Sequence, residues 1–296
     1  MPHPLIFDRR LLRAQRVRAA ALDPATFLVE RAADDLAGRL SAVLRKFDLG
    51  VDLGTPTDAV RRALADRVGA IVAVDPVVSQ LAGERLAVAA DEEVLPFRDA
   101  SLDLVVSVLA LQFVNDLPGT LIQIRRALRP DGLFLAAMIG GNSLAELREA
   151  FAQAEADVEG GVSPRVAPFA DLRDLGALLQ RAGFALPVTD VDRLTVRYAS
   201  PLALMHDLRR MGAGNALTER RRTPLRWNTL RRVIEIYAER FSDADGRIRA
   251  TFEIVWLSGW APHESQQQPL APGSAKTRLA DALRTQEVSA GEKAGS

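Results

Sequence analysis

The sequence predicts an α/β fold: a mostly parallel, seven-stranded sheet with helices on both faces. Three observations carry that reading. Between residues 49 and 139, short apolar stretches suited to strands alternate with amphipathic stretches suited to helices, the pattern of a parallel sheet wound by crossover helices. One strand candidate, "LFLAAMI" at 133–139, is apolar throughout, as a central strand buried on both faces must be. The chain has 296 residues, 48% of them hydrophobic, which is enough for one large core with insertions.

The elements follow in order. Residues 1–45 form an N-terminal helical preface, with Leu11, Leu12, Phe27, Leu28, Leu36, Leu40 and Leu44 at amphipathic spacing and a break at Asp23-Pro24. The main domain, 46–262, opens with strand candidate "LGVDLG", a helix over about 57–67, then "AIVAVD", a short helix, "LAVAAD" and "LDLVVSVLA". Asp116 is placed to cap the next helix, in which Leu117, Leu121, Ile124 and Leu128 share a face, and Pro130, Asp131 and Gly132 close it with a turn. After the fifth strand come helices over 143–157, starting at Ser143, and 170–182, closing at Gly183. "VTDVDRLTVRY" and "ATFEIVWLSGW" are the last two strands. The arginine-rich residues between them, about 200–249, are too many for a hairpin and predict a helical lid. From 263 to 296 the composition predicts a disordered tail, with a transient helix near 276–286.

Composition excludes several classes of function. With 38 basic and 38 acidic residues there is no net field to favour nucleic acid or a membrane surface, and no basic stripe interleaved with aromatics. Cysteine is absent, so disulfides and thiolate metal sites are ruled out, and a reducing compartment fits. The three histidines, at 3, 206 and 263, are too far apart in sequence to suggest a metal site. No apolar run reaches the roughly 20 residues of a membrane span.

In an open α/β sheet, ligands bind outside the carboxyl ends of the strands, where strand order reverses. Gly54 follows the first strand, where a missing side chain lets backbone approach a ligand. Asp75 ends the second, 21 residues beyond Gly54, close to the ~20 expected for an acid that bonds ribose hydroxyls. Asp91 ends the third and suits an exocyclic adenine amine. Each acid alone reads equally as a cap or turn former. Together, in this order, they point to a nucleoside-containing ligand.

The runs "VDLG", "AVDPV", "ADEEVLPFRDASLDLVVSVLALQFVNDLP" and "LRPDGLFLAAMIGGNSLAELR" resemble the class I S-adenosylmethionine-dependent methyltransferases, which have a Rossmann-like fold. The segments "IFDRRLLRAQRVRAA", "RLTVRYASPLALMHDLRRMGAGNAL" and "ATFEIVWLSGWAP" narrow the resemblance to the alphaproteobacterial and mitochondrial methyltransferase-like complex I assembly factors, over residues 5–262. The resemblance implies S-adenosyl-L-methionine as cofactor. It places Asp52 and Gly54 beside the methionine half, Asp75 at the ribose, Asp91 with Glu92 at the adenine, and Leu109 near the sulfonium. It further implies a protein client such as a respiratory complex subunit and a bacterial cytoplasmic location, peripheral to the inner membrane through that client.

Two features complicate the reading. The family's first motif runs Asp-x-Gly-x-Gly-x-Gly, yet Pro56 and Asp58 replace its second and third glycines. Proline removes an N–H donor, while Asp58 is suited to cap the next helix and puts a carboxylate where the cofactor's own carboxylate would approach and be repelled, or its α-ammonium be attracted. The reaction itself is also open. Gln112, Asn115 and Asp116 follow the fourth strand, with Gln112 the candidate for substrate contact. The mitochondrial relatives are associated with hydroxylating an arginine of an iron–sulfur subunit, and a non-catalytic assembly chaperone is a third reading. For the chaperone, Arg220, Arg221 and Arg222 in "LTERRRTPLRWNTLRR" offer a dock for an acidic client, with Trp227 and Tyr237 expected to pack the lid onto the sheet.

Overall fold

The apolar runs form seven strands: β1 (Phe47–Leu53), β2 (Val68–Val74), β3 (Ala87–Val88), β4 (Leu102–Val108), β5 (Leu128–Ile139), β6 (Ala185–Tyr198) and β7 (Ile248–Trp260). They are seen in a computed structural model that describes residues 5–267 together with residues 281, 285 and 286. The sheet order is β3-β2-β1-β4-β5-β7-β6. The first five strands run parallel, and β7 inserts antiparallel between β5 and β6. Strand order reverses between β1 and β4, so the ligand crevice of such a sheet lies at their carboxyl ends.

Both faces of the sheet are covered, which is why β4 is buried at every position. On one face α4 (Leu117–Ala127) and α6 (Leu172–Arg181) pack Leu121, Ile124, Leu175 and Leu179 against Val105 and Phe134. On the other, α2 (Phe27–Ser41) and α3 (Ala59–Ala63) pack Leu36, Leu40 and Val60 against Leu104 and Val106. Beyond α5 (Ala145–Glu159) lie the two lid helices, α7 (Pro201–Arg210) and α8 (Trp227–Phe241). Phe151, Val233, Ile236 and Tyr237 join them in a third apolar cluster. The preface belongs to the same compact unit as the sheet, which ends at Pro262. Its first helix, α1 (Arg9–Ala20), starts at Asp8, whose carboxylate accepts the Leu11 N–H at 3.0 Å.

Several elements differ from expectation. β3 has only two residues, because the Ala89-Ala90 that follow have little side chain to bury and the chain then turns into Asp91, whose carboxylate accepts the Glu93 N–H. The turn expected at 130–132 is absorbed into β5 as a bulge, with Asp131 at φ +62° and the pairing with β4 shifted between Leu102 and Leu104. α3 is one short turn, because Arg67 turns away to donate to the Leu40 and Val43 carbonyls at the end of α2. Asp58 does not cap it. The Thr57 hydroxyl accepts the Ala59 N–H instead, and Asp58 pairs with Arg62 at 3.3 Å. Asp116 does cap α4, accepting the Gly119 N–H at 2.8 Å. The expected tail and its helix near 276–286 lie largely outside the described residues.

Leu121 is fully buried between α4 and the sheet, so Leu121→Ala is expected to lower unfolding free energy by about 2–5 kcal/mol in urea titration. Asp116→Ala, which removes one cap bond, is expected to lower it by about 1 kcal/mol.

Candidate functional site

The residues that follow β1, β2 and β3 meet in space. Gly54 has φ +72° and donates its N–H to Val74 O on β2. A Cβ at Gly54 would lie 2.7 Å from Glu92 Oε1 and 3.0 Å from Ala110 Cβ, so glycine is required both by conformation and by the close approach of the tips after β3 and β4. Asp75 is buried. Its Oδ1 accepts the Val77 N–H at 2.7 Å, and burial raises its pKa against the opposing pull of Arg16.

What binds these acids is α1. Arg9, Arg13 and Arg16 fall at i, i+4 and i+7 and so share one helix face. Arg9 pairs with Glu92 and with Asp91 (2.8 Å), and Arg13 pairs with Asp91. Arg16 donates to Asp75 Oδ2 at 2.5 Å and to Gly54 O at 3.1 Å, and stands 3.7 Å from Glu92 Oε1. A single guanidinium therefore touches residues following three different strands. For Asp91, burial pushes the pKa up, but the Glu93 N–H with Arg9 and Arg13 outweighs it and the net shift is downward.

Asp52 is treated differently. It is almost fully buried at the end of β1 and held by Arg61 and by the Thr55 hydroxyl, with Arg61 anchored in turn on Glu84 at 2.8 Å. Burial raises its pKa to about 6, with Arg61 and Thr55 opposing the rise and Asp75 adding to it. Its contacts bind the first loop to α3.

Beside these acids lies a cavity of about 570 Å³, closed by α1, α2, α5 and α7. Pro56, Thr57 and Asp58 line one end with Arg16, while Leu28, Leu147, Phe151, Met205 and Leu208 make most of the wall apolar. Leu109 and Gln112 also line it. Leu109 has φ +54°, and its carbonyl accepts Gln112 Nε2 at 2.7 Å. That bond fixes the amide so that the buried Gln112 Oε1 is left with no hydrogen-bond partner. Gln112 therefore holds an unused acceptor in a residue of the cavity wall.

Other expected residues have structural partners. Asn115 fastens the N-terminal segment, accepting the N–H groups of Ile6 and Phe7. Of the three lid arginines, Arg220 pairs with Asp8 and Arg221 with Glu159, which leaves Arg222 exposed rather than a three-residue basic dock. Trp227 is 70% exposed and does not pack the lid, whereas buried Tyr237 does, donating its hydroxyl to Arg249 O. His206 and His263 are both exposed, and among the described residues no three His, Cys, Asp or Glu side chains are grouped as a metal ion would need. His3 lies outside the described residues. Sequence reading missed Arg9, Arg13 and Arg16, although their spacing in "RRLLRAQRVRAA" was the available signal.

With this geometry in view, the chain was compared with known proteins. The methyltransferase domain family matches residues 51–136. The chain is 39% identical to the arginine-hydroxylase NDUFAF5, mitochondrial, of Mus musculus, over 97% of this chain and 87% of that protein. It is 36% identical to a malonyl-[acyl-carrier protein] O-methyltransferase of Halorhodospira halophila, over 86% and 88% respectively. The crystal structure of a methyltransferase candidate from Bacillus halodurans superposes with a TM-score of 0.54 at 17% identity, covering 77% of this chain and 99% of the other, and supports the fold.

The ion pairs make two expected outcomes. Arg9→Met strips the 2%-exposed Glu92 of its closest cation and should lower stability by about 3 kcal/mol, whereas Arg126→Met, at an exposed pair with Asp99, should change it by less than about 1 kcal/mol. Asp52 sets a pH dependence. Its folded pKa of about 6 lies above the ordinary 3.8, so its protonation favours the folded state. That contribution is complete below the unfolded value and lost as pH rises through about 6, with a ceiling near 3 kcal/mol. Urea titrations between pH 4 and 6 should show a falling stability component in the native chain that is absent in Asp52→Asn.

Proposed function

The chain belongs to the class I methyltransferase-fold family that includes the NDUFAF5 arginine-hydroxylases, and on that premise we propose that it binds S-adenosylmethionine at the β1–β4 crevice and acts on, or helps assemble, a protein client of the respiratory complex I type. The observation that carries this reading is the convergence of Gly54, Asp75 and Glu92 on one guanidinium at the strand-order reversal.

The residues fit the cofactor's chemistry. Asp75 carries a carboxylate suited to a ribose diol, and Asp91 with Glu92 carboxylates suited to an adenine amine, each of which a ligand reaches by exchanging with the α1 arginines that hold them. The positive φ of Gly54 gives the close backbone approach, and Gln112, whose Oε1 has no hydrogen-bond partner, is among the residues lining the cavity where an acceptor group would enter. When bound, the cofactor supplies a methyl group made electrophilic by its sulfonium. What the chain supplies is alignment: an apolar wall that excludes water, a lid, and one neutral acceptor at Gln112 to orient an N–H or O–H of the substrate. Among the described residues, Asp58 at the loop end is the one carboxylate that lines the cavity.

The second reading, hydroxylation of a client arginine, is favoured by the 39% identity to proteins named arginine-hydroxylase. Both readings use the same cavity and the same Gln112 acceptor, since an arginine side chain joins an apolar stem to N–H donors. The location that accompanies either is bacterial cytoplasm, peripheral to the inner membrane through the client. Among the described residues no helix is long and apolar enough to cross a membrane.

Calorimetry with S-adenosylmethionine and S-adenosylhomocysteine should detect binding by the native chain. Gly54→Ala, which forces a side chain into Glu92 at a positive φ, should abolish it while leaving a folded protein. No binding by the folded native chain at millimolar ligand would reject the cofactor assignment. Intact-mass analysis of purified complex I subunits after incubation with the protein then separates the reactions: a methyl increment means transfer, an oxygen increment hydroxylation, and neither a scaffold.

A further inference from the structure

The altered first loop leaves the carboxylate of an incoming amino acid poorly served. Pro56 has no N–H to donate, and the half-exposed Asp58 carboxylate is tied only to Arg62 across the helix turn. An anion reaching this end of the cavity meets one donor fewer and one negative charge more than a glycine loop would present.

Arg16 stands over that same loop. Its side chain is 11% exposed and its guanidinium bonds the Gly54 carbonyl, and Arg16 lines the cavity with Pro56, Thr57 and Asp58. It is held from behind, because a Cβ on Gly212, at the end of α7, would fall 3.1 Å from the Arg16 Cα. The backbone of α1 is thus pressed against the lid while the side chain reaches the loop.

Resting on the cofactor reading above, we infer that Arg16 is the residue that binds the ligand's amino-acid carboxylate, replacing the donors the loop has lost. Binding would exchange partners. Both oxygens of Asp75 are engaged, Oδ1 by the Val77 N–H and Oδ2 by Arg16. A ribose diol that donates to Asp75 competes with Arg16 for Oδ2, and a buried guanidinium that loses its anion is destabilised. A ligand carrying both a diol and a carboxylate resolves this: the diol satisfies Asp75 and the carboxylate takes its place on Arg16. A ligand with the diol alone leaves Arg16 with the Gly54 carbonyl and with Glu92 at 3.7 Å, its closest anionic contact gone. Arg16 is therefore a specificity residue, selecting adenosyl amino acids over simple adenosines.

The test is calorimetric and needs no turnover. Three probes are used: S-adenosylhomocysteine, its carboxamide analogue, and 5′-methylthioadenosine, which lacks the amino acid. The native chain should bind S-adenosylhomocysteine about 10- to 100-fold more tightly than either of the others, the size of a charge-assisted hydrogen bond. In Arg16→Gln that preference should collapse, mainly by weaker binding of S-adenosylhomocysteine, and Arg16→Lys should keep part of it. If Arg16→Gln retains the native preference, the assignment is overturned while the cofactor site stands. If the native chain binds the carboxamide as tightly as the acid, the assignment also fails, and this measurement needs no variant to fold. Failure of the native chain to bind any of the three removes the cofactor reading and this inference with it.

Discussion

Four carboxylates, Asp52, Asp75, Asp91 and Glu92, crowd the carboxyl edge of one sheet, three of them almost fully buried. Groups so placed repel one another and lose their hydration, and they stay charged only if cations are brought to them. The chain brings four arginines, each within reach of at least one acid: Arg61 from α3, and Arg9, Arg13 and Arg16 from α1. This neutralisation is the constraint on which the rest depends. It requires α1 to lie across the strand tips, and that position closes the neighbouring cavity.

The same helix is fastened to the lid. Asp8 pairs with Arg220, the Asp8 N–H donates to Ala216 O, and Phe7 bridges to Leu217. Gly212 lets the end of α7 press against Arg16. Residues 5–20 and 211–222 therefore form one unit, with the acids of the crevice on one side and the lid on the other. The arginine pairs and the lid contact are carried by the same short segment. The fold thus carries a mechanical reason for these two distant segments to be as distinctive in the sequence as they are.

How much of this was legible follows from where the information sits. Gly54, Asp75 and Asp91 could be placed because strands end where their apolar runs end, and a parallel sheet sends those ends to one edge. The cap at Asp116 was legible for a similarly local reason. Arg9, Arg13 and Arg16 were not, since an arginine-rich helix reads as a solvated face until its partners, 59 to 83 residues away, are known. Asp58 was misread because two adjacent polar residues competed for one N–H and the Thr57 hydroxyl took it. The lid was expected from its length, but not its internal pairs: Arg220 and Arg221 resemble a dock in sequence and serve as braces in the structure.

The loop and the helix are best understood together. A glycine loop grips an anion with its own N–H groups, which demands close approach and no side chains. Pro56 and Asp58 abandon that device, and Asp58 would oppose an anion if nothing balanced it. Beside the loop, however, Arg16 already lies between acids that outnumber it, so its charge is shared rather than spent on a single partner. A ligand carboxylate arriving there enters a network able to redistribute its pairs, and the lost glycines need not mean a lost site. Reaction choice is then decided elsewhere, along the apolar wall leading from Gln112. There Gln112 keeps an acceptor without a partner, and a substrate that brings a hydrogen to it is favoured.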